Sequence, residues 1–305
     1  MILGLVFSKD RAMQLDATLA SFFRHARDAS IVRMTVLYKT STTEHQAQYE
    51  LLKKEYTGRV DFIPEVGFRQ QVLDLLISAL PSSRLQHWYH LRRKLLFPLP
   101  MIGFASGKLD AGHVLFLVDD NIFVRPFELA DAANALDNHS GALGFSLRLG
   151  ENTTYCYTMN RPQSLPDFEQ LPGEILKFQW SESESDFAYP LEVSSSIYPL
   201  KRILDMLIGR QFLNPNTLEL ELSKRRSKYK KKFSALLCYK KSVAFCAPIN
   251  RVQNIYPNRA GKTEELSPQQ LAEIFAQGYR INIDAFHGFT PNSCHQEVEL
   301  KFERR

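Results

Sequence analysis

Residues 114–121 read Val-Leu-Phe-Leu-Val-Asp-Asp-Asn. Five apolar residues in a row predict a short strand buried on both faces, as in a parallel sheet. The two carboxylates that follow, Asp119 and Asp120, repel each other and bear a desolvation cost, so a cation should compensate them. A divalent ion that bridges phosphate oxygens is the natural candidate. The alternative is a polar turn that closes the strand, with Asp120 or Asn121 capping a neighbouring helix.

Strand-like and helix-like segments alternate on both sides of this stretch. β-rich segments are predicted at 2–7, 32–38 and 60–64, and helical periodicity is predicted at 11–25, 44–56 and 68–80. Repeated β–α–β units predict an α/β fold with a doubly wound, mostly parallel sheet. The second half predicts strands at 142–147 and 187–193 and a helix that Pro199 opens. Neither repeats nor a linker interrupt the chain, so we expect one domain over 1–305.

Composition narrows the class of protein. The chain has 305 residues, 44% of them hydrophobic, which is enough for a sizeable core. No stretch approaches the roughly 20 apolar residues that span a bilayer, and residues 1–11 lack the features of a signal peptide. The expected location is therefore the cytoplasm. The four cysteines lack metal-binding or disulfide-framework spacing and are interpreted as ordinary thiols.

A strongly basic segment lies at 224–241. Seven cations occur within the nine residues 224–232, and Lys240 and Lys241 follow. Such a block is typical of a solvated surface. It could also dock on an anionic membrane, which would suit a lipid-linked acceptor and a peripheral location. No zinc-finger, RNP or helix-turn-helix signature accompanies it, so no nucleic-acid partner is predicted.

The predicted sheet places three polar segments at one edge. Ligands of open α/β sheets bind beyond the carboxyl ends of the strands. Residues 8–11 (Ser-Lys-Asp-Arg) follow the first strand, Tyr38 and Lys39 end the second, and residues 119–121 follow the buried run. We therefore expect residues 7–11 and 119–121 to form one site.

These segments resemble a known family of enzymes. Residues 7–11 (Phe-Ser-Lys-Asp-Arg) and 116–121 (Phe-Leu-Val-Asp-Asp-Asn) look like the donor-site elements of GT-A fold glycosyltransferases, whose acidic motif is called DxD. Residues 189–193, 214–219, 250–253 and 292–297 resemble a bacterial, family-2-like subgroup. The resemblance runs nearly end to end, and the order and spacing of the motifs carry most of it.

The resemblance implies transfer of a sugar from a nucleotide-sugar donor to a hydroxyl of a glycan, lipid-linked or protein acceptor. Residues 1–127 would form the donor half and 128–305 the acceptor half. The donor-binding residues it implies are Phe7, Ser8, Asp10 and Asp119. Lys9, Arg11 and Tyr38 are added as candidates because they lie at the ends of the first two strands. Mn²⁺ or Mg²⁺ would be held by Asp120, Asn121 and His295, with His287 as the alternative to His295. Asn121 departs from the motif, which has Asp at this position. An amide can ligate a metal, but it adds no charge.

The chemistry also needs a general base if the anomeric configuration inverts, which is the outcome we expect. Glu192 and Asp186 are the candidates to accept the proton of the acceptor hydroxyl. The metal, or Lys9 or Arg11, would stabilise the leaving diphosphate. Two other classes stay open. A nucleotidyltransferase usually has a Gly-rich phosphate loop, which this sequence lacks after its first strand, and a non-catalytic glycan- or nucleotide-binding relative would tolerate Asn121.

Overall fold

The structure, a computed structural model, describes residues 1–96, 109–250 and 266–305. Arg251, Val252 and Gln253, named above for the family resemblance, lie outside the described residues. The helices are α1 Ala12–His25, α2 Thr43–Glu55, α3 Phe68–Ser78, α4 Ser83–Leu96, α5 Leu129–Asn138, α6 Leu200–Leu207, α7 Pro215–Ser223, α8 Arg226–Lys230 and α9 Pro268–Ala276. The strands are β1 Ile2–Lys9, β2 Val32–Lys39, β3 Val60–Pro64, β4 His113–Val118, β5 Asn121–Phe123, β6 Ala142–Ser146, β7 Tyr155–Cys156, β8 Arg161–Pro162, β9 Glu169–Leu171, β10 Ile175–Gln179, β11 Ser195–Pro199, β12 Ala235–Tyr239, β13 Ala244–Cys246, β14 Tyr279–Ile281 and β15 Phe302–Arg304.

The central sheet has nine strands in the order β3-β2-β1-β4-β11-β6-β12-β10-β9. The strands β3, β2, β1 and β4 pair in parallel, as do β6 and β12, whereas β11 and β10 are antiparallel to both of their neighbours. Seven strands therefore run in one direction and two run against them. The predicted α/β fold with a mostly parallel sheet is confirmed.

The buried run at 114–118 belongs to β4, an internal strand of this sheet. On β4, Leu115 and Leu117 point into the hydrophobic core on one face, and Val114 and Phe116 point into the core on the other. All four side chains are fully buried. Helices α1, α2 and α5 contribute to the first core and α3, α6 and α7 to the second. The strand is thus covered on both sides, as five consecutive apolar residues predict.

One predicted strand is wrong. Residues 187–193 were expected to be extended, but Ser185–Ala188 is a short 3-10 helix and the chain then turns before β11. The apolar residues responsible for that prediction, Phe187, Leu191 and Val193, are buried in the second core from an irregular segment. Burial without a period of two does not require a strand. Helix α6 begins directly after Pro199, as predicted.

The strand directions bring several chain segments to the edge of the sheet where β4 ends. The carboxyl ends of β1, β4 and β6 lie there because these strands point the same way. The antiparallel strand β11 begins at this edge, so the turn that precedes it is also there. Asp10 adopts a positive φ of 55° between β1 and α1, a conformation that Asp tolerates better than most residues. No described helix is long and apolar enough to cross a bilayer.

Candidate active site

The ends of β1 and β4 are joined by the carboxylate of Asp119. Its Oδ2 accepts hydrogen bonds from Ser8 Oγ at 2.9 Å and from the Lys9 amide at 3.2 Å. Its Oδ1 lies 3.0 Å from Nη1 of Arg11, at the start of α1. Ser8 and Asp119 are buried. The structure thus brings residues 8–11 and 119–120 together, as expected from their positions after neighbouring parallel strands.

The second carboxylate, Asp120, is less completely satisfied. Its Oδ2 lies 3.6 Å from Nη1 of Arg11, whereas its Oδ1 is buried and accepts no hydrogen bond among the described residues. Burial raises the pKa of Asp120 to about 6; Arg11 opposes this shift and Asp119 adds to it. Burial alone would lower the pKa of Arg11, but the two carboxylates outweigh it and raise that pKa. Arg11 therefore supplies much of the compensating charge that the sequence argument assigned to a metal.

Asn121 has a different role from the one predicted. Its side chain is fully buried; Oδ1 accepts from the Val118 amide at 2.9 Å, and Nδ2 donates to Cys246 Sγ at 3.3 Å. These bonds close the turn between β4 and β5. The amide faces the interior, so we leave Asn121 out of the proposed metal ligands. The polar-turn alternative fits this residue in one respect, since Asn121 closes the strand. Its side chain bonds to Val118 and Cys246 and does not cap a helix, as that alternative had suggested.

Two predicted donor-binding side chains are packed into the interior. The ring of Phe7 lies 5.2 Å from that of Phe68 in the second core, and the ring of Tyr38 stacks on Tyr49 at 4.6 Å in the first. The prediction that these rings line the donor site is therefore corrected. Aromatic residues are typical of buried strands as well as of ligand pockets. The sequence pattern alone therefore could not show which of these two roles Phe7 and Tyr38 have.

Asp10 is oriented by the loop after β2. Its two carboxylate oxygens each accept a 2.7 Å hydrogen bond from Ser41, one from the amide and one from the hydroxyl. This bonding ties the ends of β1 and β2 together. Asp10 keeps its predicted place beside the site, with both oxygens already engaged.

A cavity of about 740 Å³ adjoins this edge. Val118 at the end of β4 contributes to its wall, and the other lining residues come from 146–295. The polar groups that line it include Arg148, Asp186, Glu192, Glu219 and His295. Apolar side chains cover much of the remaining wall, which is the usual character of a small-molecule pocket.

Asp186 is the carboxylate in this cavity with the weakest hydrogen bonds. Gln163 Nε2 lies 3.3 Å from its Oδ2, and the Cys156 thiol lies 3.5 Å from its Oδ1. Burial raises the pKa of Asp186, although Arg148 acts in the opposite direction. A carboxylate with a raised pKa and few strong donors is suited to accept a proton near neutral pH.

Glu192, the other predicted base, is held by the protein around it. Its Oε2 accepts from the Ser195 amide at 3.0 Å and lies 3.3 Å from Nη2 of buried Arg148. The Ser194 amide and the Ser196 hydroxyl also donate to it. Both oxygens of this carboxylate are therefore engaged by donors of the protein itself. The structure therefore corrects the prediction for Glu192: it orients Arg148 and the turn before β11.

Arg148 was missed by the sequence analysis. It follows β6, whose carboxyl end lies at the same edge, so the rule that selected Ser8 and Asp119 would have selected it too. Glu219 was quoted only within a resembling segment. It lines the cavity from α7 and accepts from Tyr189 Oη and the Val193 amide, both at 2.9 Å. Burial raises its pKa, with Glu192 adding to the shift.

The two candidate histidines lie in different places. His295 lines the cavity, and its Nε2 is 3.3 Å from Nη1 of Arg148. Burial and the nearby Arg148 lower the pKa of His295 to about 3, so it is neutral. His287 is exposed and stacks on His25, the last residue of α1. A 14-residue helix is about 20 Å long, so His287 lies far from Arg11 and is removed as a candidate.

The described residues provide no complete metal cage, because no group of three or more His, Cys, Asp or Glu side chains among them is arranged to hold an ion. The unpartnered Oδ1 of Asp120 fits one ligand position. A single carboxylate that acts together with substrate phosphates is a common arrangement for Mg²⁺. The Nε2 of His295 is occupied by Arg148 in this arrangement.

No family model matches the sequence. Over 308 residues the chain is 25% identical to the bifunctional glycosyltransferase pgtA of Dictyostelium discoideum. The alignment covers 92% of this chain and 36% of the relative, so the chain spans about a third of that protein's length. The resemblance to glycosyltransferases inferred from the motifs is confirmed by this relative.

The solved structures that are similar to this chain include two of TarS and one of a xylosyltransferase. TarS of S. aureus is 14% identical with a TM-score of 0.44, and the match covers 81% of this chain and 36% of that one. A structure of TarS 1–349 in complex with UDP-GlcNAc is 13% identical with a TM-score of 0.43, covering 83% and 60%. Mouse xyloside xylosyltransferase 1 is 11% identical with a TM-score of 0.35, covering 76% and 84%. Because these TM-scores are low, the fold class rests on the strand order and directions.

Proposed function

We propose that this chain is a glycosyltransferase that moves a sugar from a nucleotide-sugar donor to a hydroxyl acceptor. One observation carries the proposal: the Ser8–Arg11–Asp119–Asp120 cluster stands at the sheet edge beside a cavity that holds Asp186. A cationic and acidic cluster suits a diphosphate, and an adjoining cavity suits the acceptor. The sequence relationship to a glycosyltransferase supports the same class of reaction.

The donor would lie over the ends of β1 and β4. Arg11 brings its guanidinium to this point, and Lys9 would supply a second cation to the donor phosphates. The Asp120 carboxylate would hold Mn²⁺ or Mg²⁺ together with those phosphates. Such an ion, when bound, supplies positive charge that stabilises the departing nucleoside diphosphate. Ser8 and Asp119 fix the position of Arg11 and the chain around it.

The acceptor would enter the cavity beside Asp186. In an inverting reaction its hydroxyl oxygen forms a bond to the anomeric carbon while the bond from that carbon to the phosphate oxygen breaks. The hydroxyl proton passes to Asp186, and the nucleoside diphosphate leaves with the bonding electrons. The raised pKa of Asp186 suits this step. We propose a glycan, a lipid-linked molecule or a protein as the acceptor.

The proposal is tested by donor turnover. Purified protein is incubated with UDP-, GDP- and dTDP-sugars and Mn²⁺, and release of the nucleoside diphosphate is measured with and without added acceptors. We expect one nucleotide series to be turned over. Formation of a nucleoside triphosphate and a sugar 1-phosphate when pyrophosphate is added would instead indicate a nucleotidyltransferase. Saturable binding without turnover of any donor would indicate a non-catalytic relative.

A further inference from the structure

Helix α4 presents an apolar stripe to solvent. Trp88, Leu91 and Leu95, at positions i, i+3 and i+7 of the helix, are 49%, 48% and 87% exposed. Residues with this spacing share one face of an α-helix. A stripe of large apolar side chains in water is costly and usually marks an interaction site.

The opposite face of α4 is firmly attached to the protein. Tyr89 is fully buried and its Oη donates to Asp205 of α6 at 2.6 Å. Arg93 is also buried and forms an ion pair with Asp74 of α3. Tyr89 and Arg93 therefore fix the orientation of the helix. This orientation places the apolar stripe in contact with solvent.

Cations surround the stripe. Arg92 lies over the Trp88 ring at 5.2 Å, and Arg84 and Lys94 are exposed on the same helix. The nearby acidic group, Asp205, is compensated by Lys201 at 2.8 Å and Arg92 at 3.6 Å. The surface around α4 therefore has a net positive charge. Trp and Leu flanked by Arg and Lys are the composition of helices that lie in the membrane interface.

The first part of the basic segment, residues 224–233, lies on the same side of the molecule. The ring of Phe233 stacks on Tyr229 of α8 at 6.0 Å and receives Arg202 of α6 at 3.8 Å. Helix α6 thus contacts α4 through Asp205 and the end of α8 through Arg202. The exposed cations of α8 and of the two residues after it are Arg226, Lys228, Lys230, Lys231 and Lys232.

The wall of the cavity borders this basic segment. Helix α7 lines the cavity with Asn216, Glu219 and Leu220, and Lys224 follows its last residue. A molecule that approaches the cavity across the α7–α8 surface would therefore pass the cations first.

We propose that α4 and the basic segment together form a docking face for an anionic lipid bilayer, with the α4 stripe in the headgroup region. Its cations would repel the same cations of a second copy in a symmetric contact, whereas anionic headgroups complement them. The docking itself is independent of the proposed function. What rests on that function is the consequence that a lipid-linked acceptor would reach the cavity from the membrane.

Trp88 provides a direct probe, because the chain has two tryptophans and the other, Trp180, is buried with its Nε1 bonded to the Phe233 carbonyl. We expect phosphatidylcholine vesicles that contain phosphatidylserine to shift Trp88 emission to the blue and to sediment the protein, and pure phosphatidylcholine vesicles to bind it weakly. Leu95→Glu and Leu91→Glu should each lower vesicle binding by about tenfold. Leu51→Glu, on α2 where the residue is 38% exposed, is the matched control and should bind like wild type.

The contribution of the cations is separable from that of the stripe. Lys228→Gln with Lys230→Gln and Lys231→Gln should weaken binding at low salt, and high salt should weaken wild type in the same way. Donor hydrolysis in solution should be unchanged in every one of these variants, so loss of docking and loss of activity are distinguishable. The proposal is overturned if wild type ignores anionic vesicles at low salt. It is also overturned if Leu95→Glu binds as wild type does, or if wild type is a dimer that Leu95→Glu dissociates.

Discussion

Nη1 of Arg11 lies 3.6 Å from Oδ2 of Asp120. The same nitrogen is 3.0 Å from Asp119, so one guanidinium contacts both carboxylates that follow β4. Its single positive charge offsets only part of their negative charge, and the pKa of Asp120 is raised to about 6, chiefly by burial. We propose that a divalent ion bound with the donor phosphates would offset the remainder.

Replacing Arg11 with glutamine should destabilise the protein by about 3 kcal/mol near neutral pH, because two carboxylates lose their buried partner. The decrease in the free energy of unfolding caused by this substitution should be smaller at about pH 5. The folded pKa of Asp120 is raised to about 6 and Arg11 lowers it, so the variant binds a proton there more readily. A carboxyl group whose pKa is higher in the folded than in the unfolded protein binds its proton more tightly in the folded state. The free energy of unfolding therefore rises as pH falls below that pKa.

Urea unfolding at both pH values measures this difference. Arg33→Gln is the control, since Arg33 forms a partly exposed pair with Asp61 at 2.9 Å and should change the free energy of unfolding by about 0.5 kcal/mol or less. If Arg11→Gln and Arg33→Gln lower the free energy of unfolding equally, Arg11 does not stabilise the buried carboxylates as described.

Mn²⁺ binding in the presence of a nucleoside diphosphate should weaken as pH falls below about 6, where Asp120 takes up a proton. A ligand must be ionised to bind, so the dissociation constant should rise about tenfold for each pH unit below that value. Titration followed by Mn²⁺ electron paramagnetic resonance measures it. Binding that does not change between about pH 5 and pH 7 would show that Asp120 is not the ligand.

Asp186→Asn should lower the rate of sugar transfer by roughly 10²- to 10⁴-fold, because the acceptor hydroxyl loses its base. The KM for the donor should stay near the wild-type value. In wild type, the rate of sugar transfer should decrease as pH falls below the raised pKa of Asp186. Glu184→Gln is the neighbouring control, an exposed carboxylate 3.8 Å from Arg161. Wild-type transfer by Asp186→Asn would remove the residue from the mechanism.

Glu192→Gln should destabilise the protein by about 3 kcal/mol, because Arg148 would be left buried without its counter-ion. The exposed pair of Lys177 and Glu169 at 2.6 Å offers the comparison, and Glu169→Gln should change stability by about 0.5 kcal/mol or less. A Glu192→Gln protein as stable as wild type, but unable to transfer sugar, would restore Glu192 as the candidate base.

The sequence identified the parts of the fold that follow from local pattern. The buried run 114–118 and the helix 68–80 follow from apolar periodicity, and the structure has both, as β4 and α3. The rule that ligands bind at carboxyl strand ends located Ser8, Arg11, Asp119 and Asp120 at one edge. These predictions rely on strand direction, which repeated β–α–β units determine.

The remaining site features depend on contacts between distant residues. Nothing near Glu192 in the sequence shows that Arg148 faces it, and Asn121 bonds to Cys246 across 125 positions. Phe7 and Tyr38 have the composition of either a core or a ligand pocket, and only packing separates the two. Predicting which candidate carboxylate is free to react requires the donors around it, which the sequence does not display.

The central claim is tested most directly by nucleotide-sugar turnover in wild type and Asp120→Asn, with Asp137→Asn, 69% exposed at its side chain, as the control. The product is identified by mass spectrometry as acceptor plus one sugar. We predict that wild type and Asp137→Asn transfer sugar at equal rates and that Asp120→Asn is slower by about a hundredfold or more. Equal rates for wild type and Asp120→Asn, or no transfer by wild type from any nucleotide sugar, would contradict the account.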